Sequence, residues 1–165
     1  IAPDEAGVVT VSCLQGGEPW NIIPDTCTII GGIRYFSVEN FEKIVSRIRI
    51  ITDSLCAAND CKAEYITMPK LMYPVINNPA ISKIAAAPVE KVLPGGVVEE
   101  PAWMASESFG AYQDVVPGVF AFVGIQNEEL GSGAAHHNVK FDLDEKALSI
   151  GAAATLQFVS DFLSQ

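Results

Sequence analysis

The sequence predicts an α/β protein, an α+β sandwich in which a ferredoxin-like lobe precedes the last strand and helices of a larger α/β domain. Three observations predict this class. β-Branched residues fill two early segments, 7–15 and 25–36. Apolar residues recur at helical spacing over 38–57. An unbroken apolar run, 118–126, is typical of a strand covered on both faces of a parallel sheet.

The first two strands lead into a long helix. The strand at 25–36 carries the pair Gly31-Gly32, which indicates a bulge or a close approach of two backbones. Ser37 is a suitable N-cap for a helix over 38–57. The apolar stripe predicted for that helix consists of Phe41, Ile44, Ile48, Ile51 and Leu55.

A second helix lies between two further predicted strands. The third strand is predicted over 62–72, and a short fourth strand within 94–100. Asn78 and Pro79 predict the start of the helix, in which Pro88 should introduce a kink or an early end. The order β, β, α, β, α, β is that of a ferredoxin-like sandwich without its first helix.

The character of the sequence changes after residue 100, so we expect two domains, 1–100 and 101–165. The second contains a short helix over 106–115, the apolar strand 118–126 and a long helix that opens at Asp144. The stripe predicted for the long helix consists of Leu148, Ala152, Thr155, Leu156, Val159 and Leu163. These elements are too few to cover both faces of a sheet. The second domain is therefore expected to expose apolar surface that favours association.

Composition excludes two classes of partner. The net charge is −10, with only 10 Lys and Arg and no basic cluster, so nucleic acid is not expected to bind. No apolar run approaches the roughly 20 residues that span a bilayer, so no membrane segment is expected. The first residue is Ile1 and no signal peptide follows it, which suggests a chain cut from something longer.

The four cysteines do not form a metal or redox motif by spacing. Cys13 and Cys27 lie in apolar, strand-like segments, where buried free thiols are expected. Cys56 and Cys61 flank a turn and could close a small loop under oxidising conditions. This usage fits a reducing compartment, the cytoplasm.

The segment "GSGAAHHNVKFDLDE" holds the two histidines of the chain, His136 and His137. Adjacent residues of an extended chain point to opposite sides, so both are not expected to bind one ion. Zinc catalysis needs about three protein ligands, and no ligand spacing supplies them. The residues alone favour a polar loop. A small metal site that uses both histidines with Asp142 or Asp144 stays an alternative.

Several motifs nevertheless resemble, in order, those of the zinc amidohydrolases that include hippurate hydrolase, N-acyl-amino-acid amidohydrolases and auxin-conjugate hydrolases. "VVTVSCLQGGEPWNIIPDTCTIIGGIRYF" resembles the lid, or dimerisation, domain of this family. "YPVINNP", "MASESFGAY", "VPGVFAFVGIQNEE" and "HHNVKFDLDEKALSIGA" are similar to its later motifs. The chain departs from those motifs at Ala105, Ser108 and Val139, where the family has Gly, Asp and Pro.

The resemblance implies roles for five residues. His137 keeps the motif spacing to the following Phe-Asp pair and would be a ligand of a two-zinc centre, or of another divalent cation; His136 is the second choice. Asn21 and Arg34 occupy positions that bind substrate from the lid. Glu107 could face the site, although an acidic residue in the first turn of a helix is the commoner explanation.

The same resemblance implies that the chain is the C-terminal part of a hydrolase acting on the amide bond of N-acyl amino acids. The other zinc ligands and the general base would lie upstream, so no catalytic residue is expected in this chain, which alone would be inactive. Its expected partners are a second copy, through the lid, or the missing N-terminal half. The alternative is a non-catalytic dimerisation module with a vestigial histidine loop, which a start codon near Ile1 would favour.

Overall fold

The computed structural model describes residues 5–17 and 19–164. Within these ranges the chain is a mixed α/β protein with one small antiparallel sheet and four α-helices, which confirms the predicted class. The chain packs as two compact units, a first unit of Ile1–Val75 with Ala102–Asp114 and a second unit of Ile76–Pro101 with Val115–Gln165. The units interleave along the chain. The single boundary predicted after residue 100 stays a prediction.

The sheet of the first unit pairs β1 (Gly7–Gln15) with β2 (Thr28–Tyr35). Val11 lies opposite Gly31 and Cys13 opposite Ile30, so one residue of β1 is extra and the strand bulges there. A Cβ atom added to Gly31 would collide with the carbonyl oxygen of Thr10. Both the bulge and the close backbone approach predicted from the glycine pair are confirmed.

Helix α1 (Val38–Ala58) begins where the sequence predicts. The Ser37 hydroxyl accepts a hydrogen bond from the Asn40 amide at 3.1 Å, which caps the first turn. In the N-terminal half, Ile44 is only 5% exposed and the Phe41 ring lies 5.1 Å from that of Tyr35.

The C-terminal half of the predicted α1 stripe is wrong, because Ile51 and Leu55 are exposed. The half-buried residues there are Thr52 and Cys56. They continue the i+4 row of Ile44, whereas Ile51 and Leu55 lie one residue back and therefore about 100° around the helix.

The second unit contains α2 (Pro79–Val92) and α4 (Lys146–Leu163), which contact each other. The Asn78 side chain accepts hydrogen bonds from the next two free amides, so the predicted N-cap is confirmed. Of the two alternatives predicted at Pro88, a kink or an early end, the early end is wrong, since α2 continues to Val92. A proline removes only one backbone N–H donor from the helix. The Pro88 ring is buried, and this burial offsets the lost hydrogen bond.

The predicted apolar stripe of α4 is on the wrong face. Leu148, Leu156 and Leu163 are 65%, 71% and 78% exposed, whereas Ala147 is buried and Ile150 half-buried. The helix carries apolar residues on both faces, and periodicity alone cannot choose between them. An ion pair of 2.7 Å between Lys91 and Asp161 joins α2 to α4 on the packed side.

Three predicted strands, at 62–72, 94–100 and 118–126, are not strands in the described chain. In each of these segments, a side chain forms hydrogen bonds with backbone N–H or C=O groups that would otherwise pair with a neighbouring strand. The Tyr35 hydroxyl bonds both the N–H and the C=O of Met72. The Glu90 carboxylate accepts from the amides of residues 95 and 97. The Asn77 amide bonds both the C=O and the N–H of Phe120.

The short helix predicted over 106–115 is present as α3, which spans only Gly110–Gln113. Gly110 is buried, and a Cβ atom there would collide with the carbonyl group of Tyr73. That close approach packs the 102–114 segment into the first unit. None of the helices among the described residues is long and apolar enough to cross a membrane.

We expect Gly31→Ala to destabilise the first unit by about 1–3 kcal/mol, the usual cost of forcing an extra methyl group into a packed position. The new Cβ would push the β1 backbone away at Thr10. Urea unfolding monitored by circular dichroism measures the effect. Gly32→Ala is the matched control, because nothing lies within 4 Å of a Cβ there. Equal costs for both variants would contradict the close approach.

Candidate metal-ligand loop and substrate-binding residues

A hydrogen-bonded base holds both ends of the loop that carries the histidines. Asn127 Nδ2 donates to Asp144 Oδ2 at 2.7 Å, and the Asn127 amide donates to Ser132 Oγ at 2.7 Å. The Asp144 amide donates to the Ile125 carbonyl at 2.9 Å. Ser132 is only 6% exposed and its hydroxyl also lies 3.2 Å from the same carbonyl. The loop is therefore closed at its base.

Asp144 also supports the first turn of helix α4, which begins at Lys146, two residues after the predicted start. Its Oδ1 accepts a hydrogen bond of 3.0 Å from the Lys146 amide in the first turn. The bonds from Asn127 and from that amide favour the charged carboxylate and hold the pKa of Asp144 below its ordinary value. One side chain thus connects the histidine loop to the helix that follows it.

The two histidines occupy the centre of a turn at the exposed end of the loop. The Asn138 amide donates to the Ala135 carbonyl at 3.1 Å across them. His137 has a φ of 66°, in the left-handed region that costs a non-glycine residue about 1–2 kcal/mol. The His136 ring packs edge-on against Phe141 at 5.3 Å. Both histidines are exposed.

The side chains near the histidines do not complete a metal site. Asp142 Oδ1 accepts from the Leu143 amide at 2.8 Å, and Asp144 is committed to the base of the loop. No group of three or more His, Cys, Asp or Glu side chains in the described ranges could hold a metal ion. The described residues therefore do not form the cluster that the small-metal-site alternative requires.

Asn21 and Arg34 both belong to the first unit and are exposed. Asn21 follows Trp20, whose φ of 28° marks a tight turn, and its amide donates to the Pro19 carbonyl at 2.7 Å. Arg34 lies on β2 opposite Val8, and its Nη1 donates to the Ile33 carbonyl at 3.0 Å. An exposed guanidinium on a strand and an amide at a turn are both accessible to a ligand.

Glu107 lies in the segment before α3. Its Oε1 accepts hydrogen bonds from the amides of Ser108 and Phe109, at 2.7 and 3.2 Å. These bonds fix the turn that precedes α3, whose first turn contains no acidic residue. The structure thus gives Glu107 a structural use of its own, while Asn21, Arg34 and His137 keep the roles predicted for them as predictions.

Sequence reasoning missed Asn127 and Ser132, which form the base of the loop. A signal was present for Asn127: it precedes "EEL", and its Oδ1 caps the single 3-10 turn Glu128–Leu130. Nothing in the sequence indicates the second bond of Asn127, to a carboxylate 17 residues away.

Comparison with known proteins finds relatives along nearly the whole chain. It is 32% identical to an IAA-amino acid hydrolase (ILR1-like 4) of Arabidopsis thaliana over 98% of its length, which is 38% of that relative. It is 30% identical to an N-acetyldiaminopimelate deacetylase of Leuconostoc mesenteroides over 100% of its length and 42% of the relative. The chain thus spans about two fifths of the length of these relatives. No protein-family model matches the sequence.

A solved structure gives the same picture. A dinuclear metal-binding peptidase of the M20 family from Bacillus subtilis matches with a TM-score of 0.76 and 25% identity. The match covers 96% of this chain and 42% of that one. Similarity of sequence and of fold therefore point to the same group of hydrolases, and the resemblance described from the motifs is confirmed.

We expect Asn127→Ala to cost stability mainly at neutral pH. A carboxyl whose pKa is lowered by folding contributes stability above its unfolded pKa of about 3.9, and this contribution is lost as pH falls through the folded value. The difference in unfolding free energy between wild type and Asn127→Ala should therefore shrink below about pH 4.

Urea unfolding at a series of pH values measures that difference. Asn138→Ala is the matched control on the same loop, because its Oδ1 accepts from the Lys140 amide and not from a titrating group. A cost of Asn127→Ala that stays constant with pH would contradict the link between Asn127 and Asp144.

Proposed function

We propose, on the premise that the chain is homologous to the amidohydrolases, deacetylases and peptidases of the M20 family, that the protein is a metal-dependent amidohydrolase acting on N-acyl amino acids. The observation that carries this proposal is the match along 98–100% of the chain to two hydrolases that cleave amide bonds of acylated amino acids by name. In this proposal the described residues supply one metal ligand and part of the substrate site.

His137 is the proposed metal ligand. Its left-handed φ of 66° supports the role, since non-glycine residues held in this region cluster at functional sites. The base formed by Asn127 and Asp144 fixes the loop, as a ligand on a loop requires. The remaining metal ligands and the general base would come from residues that are not among these 165.

Zinc is the proposed metal, because imidazole is one of its usual ligands. A two-metal centre, when bound, supplies an activated water and polarises the amide carbonyl. What this chain contributes is narrower: His137 would hold one metal ion, and Asn21 and Arg34 would bind the substrate.

Asn21 and Arg34 are the proposed substrate-binding residues of the first unit. A guanidinium can grip the free carboxylate of an N-acyl amino acid with two parallel hydrogen bonds. The Asn21 amide can donate to the oxygen that gains negative charge as the amide bond breaks. Glu107 has weaker support as a pocket residue, because its Oε1 already accepts two backbone amides.

A second candidate function is association, favoured by the exposed sheet. β1 and β2 form a two-stranded sheet, so each has one edge that pairs with no strand in the described chain. Val9 and Ile29 on these strands are 54% and 64% exposed. Unpaired edges and exposed apolar residues favour pairing with another chain, either a second copy or the chain segment that completes the metal centre.

Replacing each histidine in the complete protein tests the metal role. We expect His137→Ala to lower both the bound metal and the rate of N-acyl amino acid hydrolysis by at least about 100-fold, since a metal centre that loses one of its ligands loses metal. His136→Ala is the matched control and should keep metal and activity within a few-fold.

Metal content by mass spectrometry and hydrolysis of acetylated, benzoylated and indole-acetylated amino acids are the two measurements. Two variants with equal metal content would overturn the assignment of His137. Metal without hydrolysis of any of these substrates would overturn the proposed reaction. Light scattering on the 165-residue chain tests the second candidate: a dimer with no metal bound would support association between two copies.

Kinetics distinguish the proposed roles of the lid residues. We expect Arg34→Ala to raise KM by about 10–100-fold, because a hydrogen bond to a charged group would be lost. We expect Asn21→Ala to lower kcat by about 100-fold, because a hydrogen-bond donor to the oxyanion would be lost. Arg34→Lys should reverse only part of this increase in KM, because an ammonium group cannot form the two parallel hydrogen bonds of a planar guanidinium. A change in kcat alone for Arg34→Ala would contradict its role in binding the carboxylate.

A further inference from the structure

The C-terminal end of α1 brings two cysteines together. Asp60 adopts a left-handed φ of 54°, and the Cys61 amide then donates to the Cys56 carbonyl at 2.8 Å. A bond from the sixth residue back to the first, across a left-handed residue, defines a Schellman turn. In that turn the side chains at the first and sixth positions characteristically contact each other. Here both positions are cysteines.

The hydrogen bond limits how far apart these cysteines can be. With standard bond lengths, the 2.8 Å bond leaves the two Cα atoms at most about 7 Å apart. Disulfides join cysteines whose Cα atoms lie about 4.4–6.8 Å apart. Both thiols are free, Cys61 is exposed and Cys56 is half-buried. The Cys61 thiol lies 3.2 Å from the Asn59 carbonyl, over the end of the helix.

The chain beyond the turn is also anchored to α1. The Tyr65 hydroxyl donates to Asp53 Oδ1 at 2.7 Å, and the Arg49 guanidinium lies 5.0 Å from the centre of the Tyr65 ring. The turn is therefore held on both sides, by the helix and by the returning chain. This keeps Cys61 beside Cys56 without requiring a bond between the sulfur atoms.

The other two cysteines do not have this relationship. Cys13 pairs across the sheet with Ile30, three residues from Cys27 along β2 and its approach. Three residues of extended chain span about 10 Å, which exceeds the reach of a disulfide. Cys27 is exposed, contrary to the buried thiol predicted from the sequence. It provides a reactive reference within the same molecule.

We propose that Cys56 and Cys61 form a reversible intramolecular disulfide, so that the C-terminal end of α1 is a site of thiol–disulfide modification. The oxidant is a small-molecule disulfide such as oxidised glutathione. The Cys61 thiolate attacks one sulfur of the oxidant and expels one thiolate. The Cys56 thiolate then attacks the Cys61 sulfur and expels the second. The two protons pass to solvent, and the oxidant gains the two electrons that the cysteines lose.

Thiol trapping on the full chain tests this proposal. The protein is equilibrated with reduced and oxidised glutathione at several ratios, alkylated with N-ethylmaleimide and mapped by peptide mass spectrometry. We expect the peptide holding Cys56 and Cys61 to become resistant to alkylation and lighter by two hydrogen atoms as oxidised glutathione increases. Cys13 and Cys27 should stay alkylated or carry glutathione separately.

Two variants complete the design. Cys61→Ser should abolish the protected species, and Cys27→Ser should change the glutathione ratio at half-oxidation by less than about two-fold. A lasting glutathione adduct on Cys61 with Cys56 still alkylated would overturn the proposal, as would a disulfide between Cys13 and Cys27. Circular dichroism on each variant shows that the fold is retained, and the mapping of the wild-type chain decides the question independently of them.

Discussion

Backbone N–H and C=O groups must find hydrogen-bond partners. Because few strands are present to supply those partners, other groups must do so, and the rest of this structure depends on this constraint. Only β1 and β2 form a ladder in the described chain. Elsewhere, side chains take the role of the neighbouring strand: Tyr35 serves Met72, and Asn77 serves Phe120. Each side chain bonds an N–H and a C=O at once, as an adjacent strand would. Segments with strand-like sequence therefore have fixed positions without belonging to a sheet.

This constraint explains what the sequence could and could not predict about the fold. The N-caps Ser37 and Asn78 were predictable because a cap depends on residues within one turn of it. The bulge beside Gly31 was predictable because glycine pairs in strands have few other uses. The sequence could not show that 62–72 and 118–126 form no strands, because a strand exists only with a partner, and a partner lies far away in the sequence.

The helix faces show the same difference between local and non-local information. In helix α2, the apolar residues Ile81, Ile84, Ala85 and Val92 recur at roughly helical spacing and all are half-buried. Helix α4 has two apolar faces, and the one that is less exposed contains Ala147, Ile150 and Phe158. The candidate site follows this pattern. The motif residues were found by resemblance, whereas the left-handed His137 and the bond from Asn127 to Asp144 required the folded chain.

The core of the chain is thin for its length. Among the described residues, few apolar side chains are buried, chiefly Ile44, Ala147 and Pro88, and many large apolar residues are exposed. A chain of 165 residues can normally bury about two thirds of its surface. The leucines on the outer face of α4 and the valines of β1 remain exposed within the described chain.

Exposed apolar surface costs free energy in water, about 25 cal/mol per Å². The physical expectation is therefore that another surface covers it. A relative more than twice as long as this chain has the additional residues to provide one. Under the proposed function, the residues that cover these apolar faces would also carry the other ligands of the metal that His137 is proposed to bind, so that burial and completion of the metal centre would be a single event.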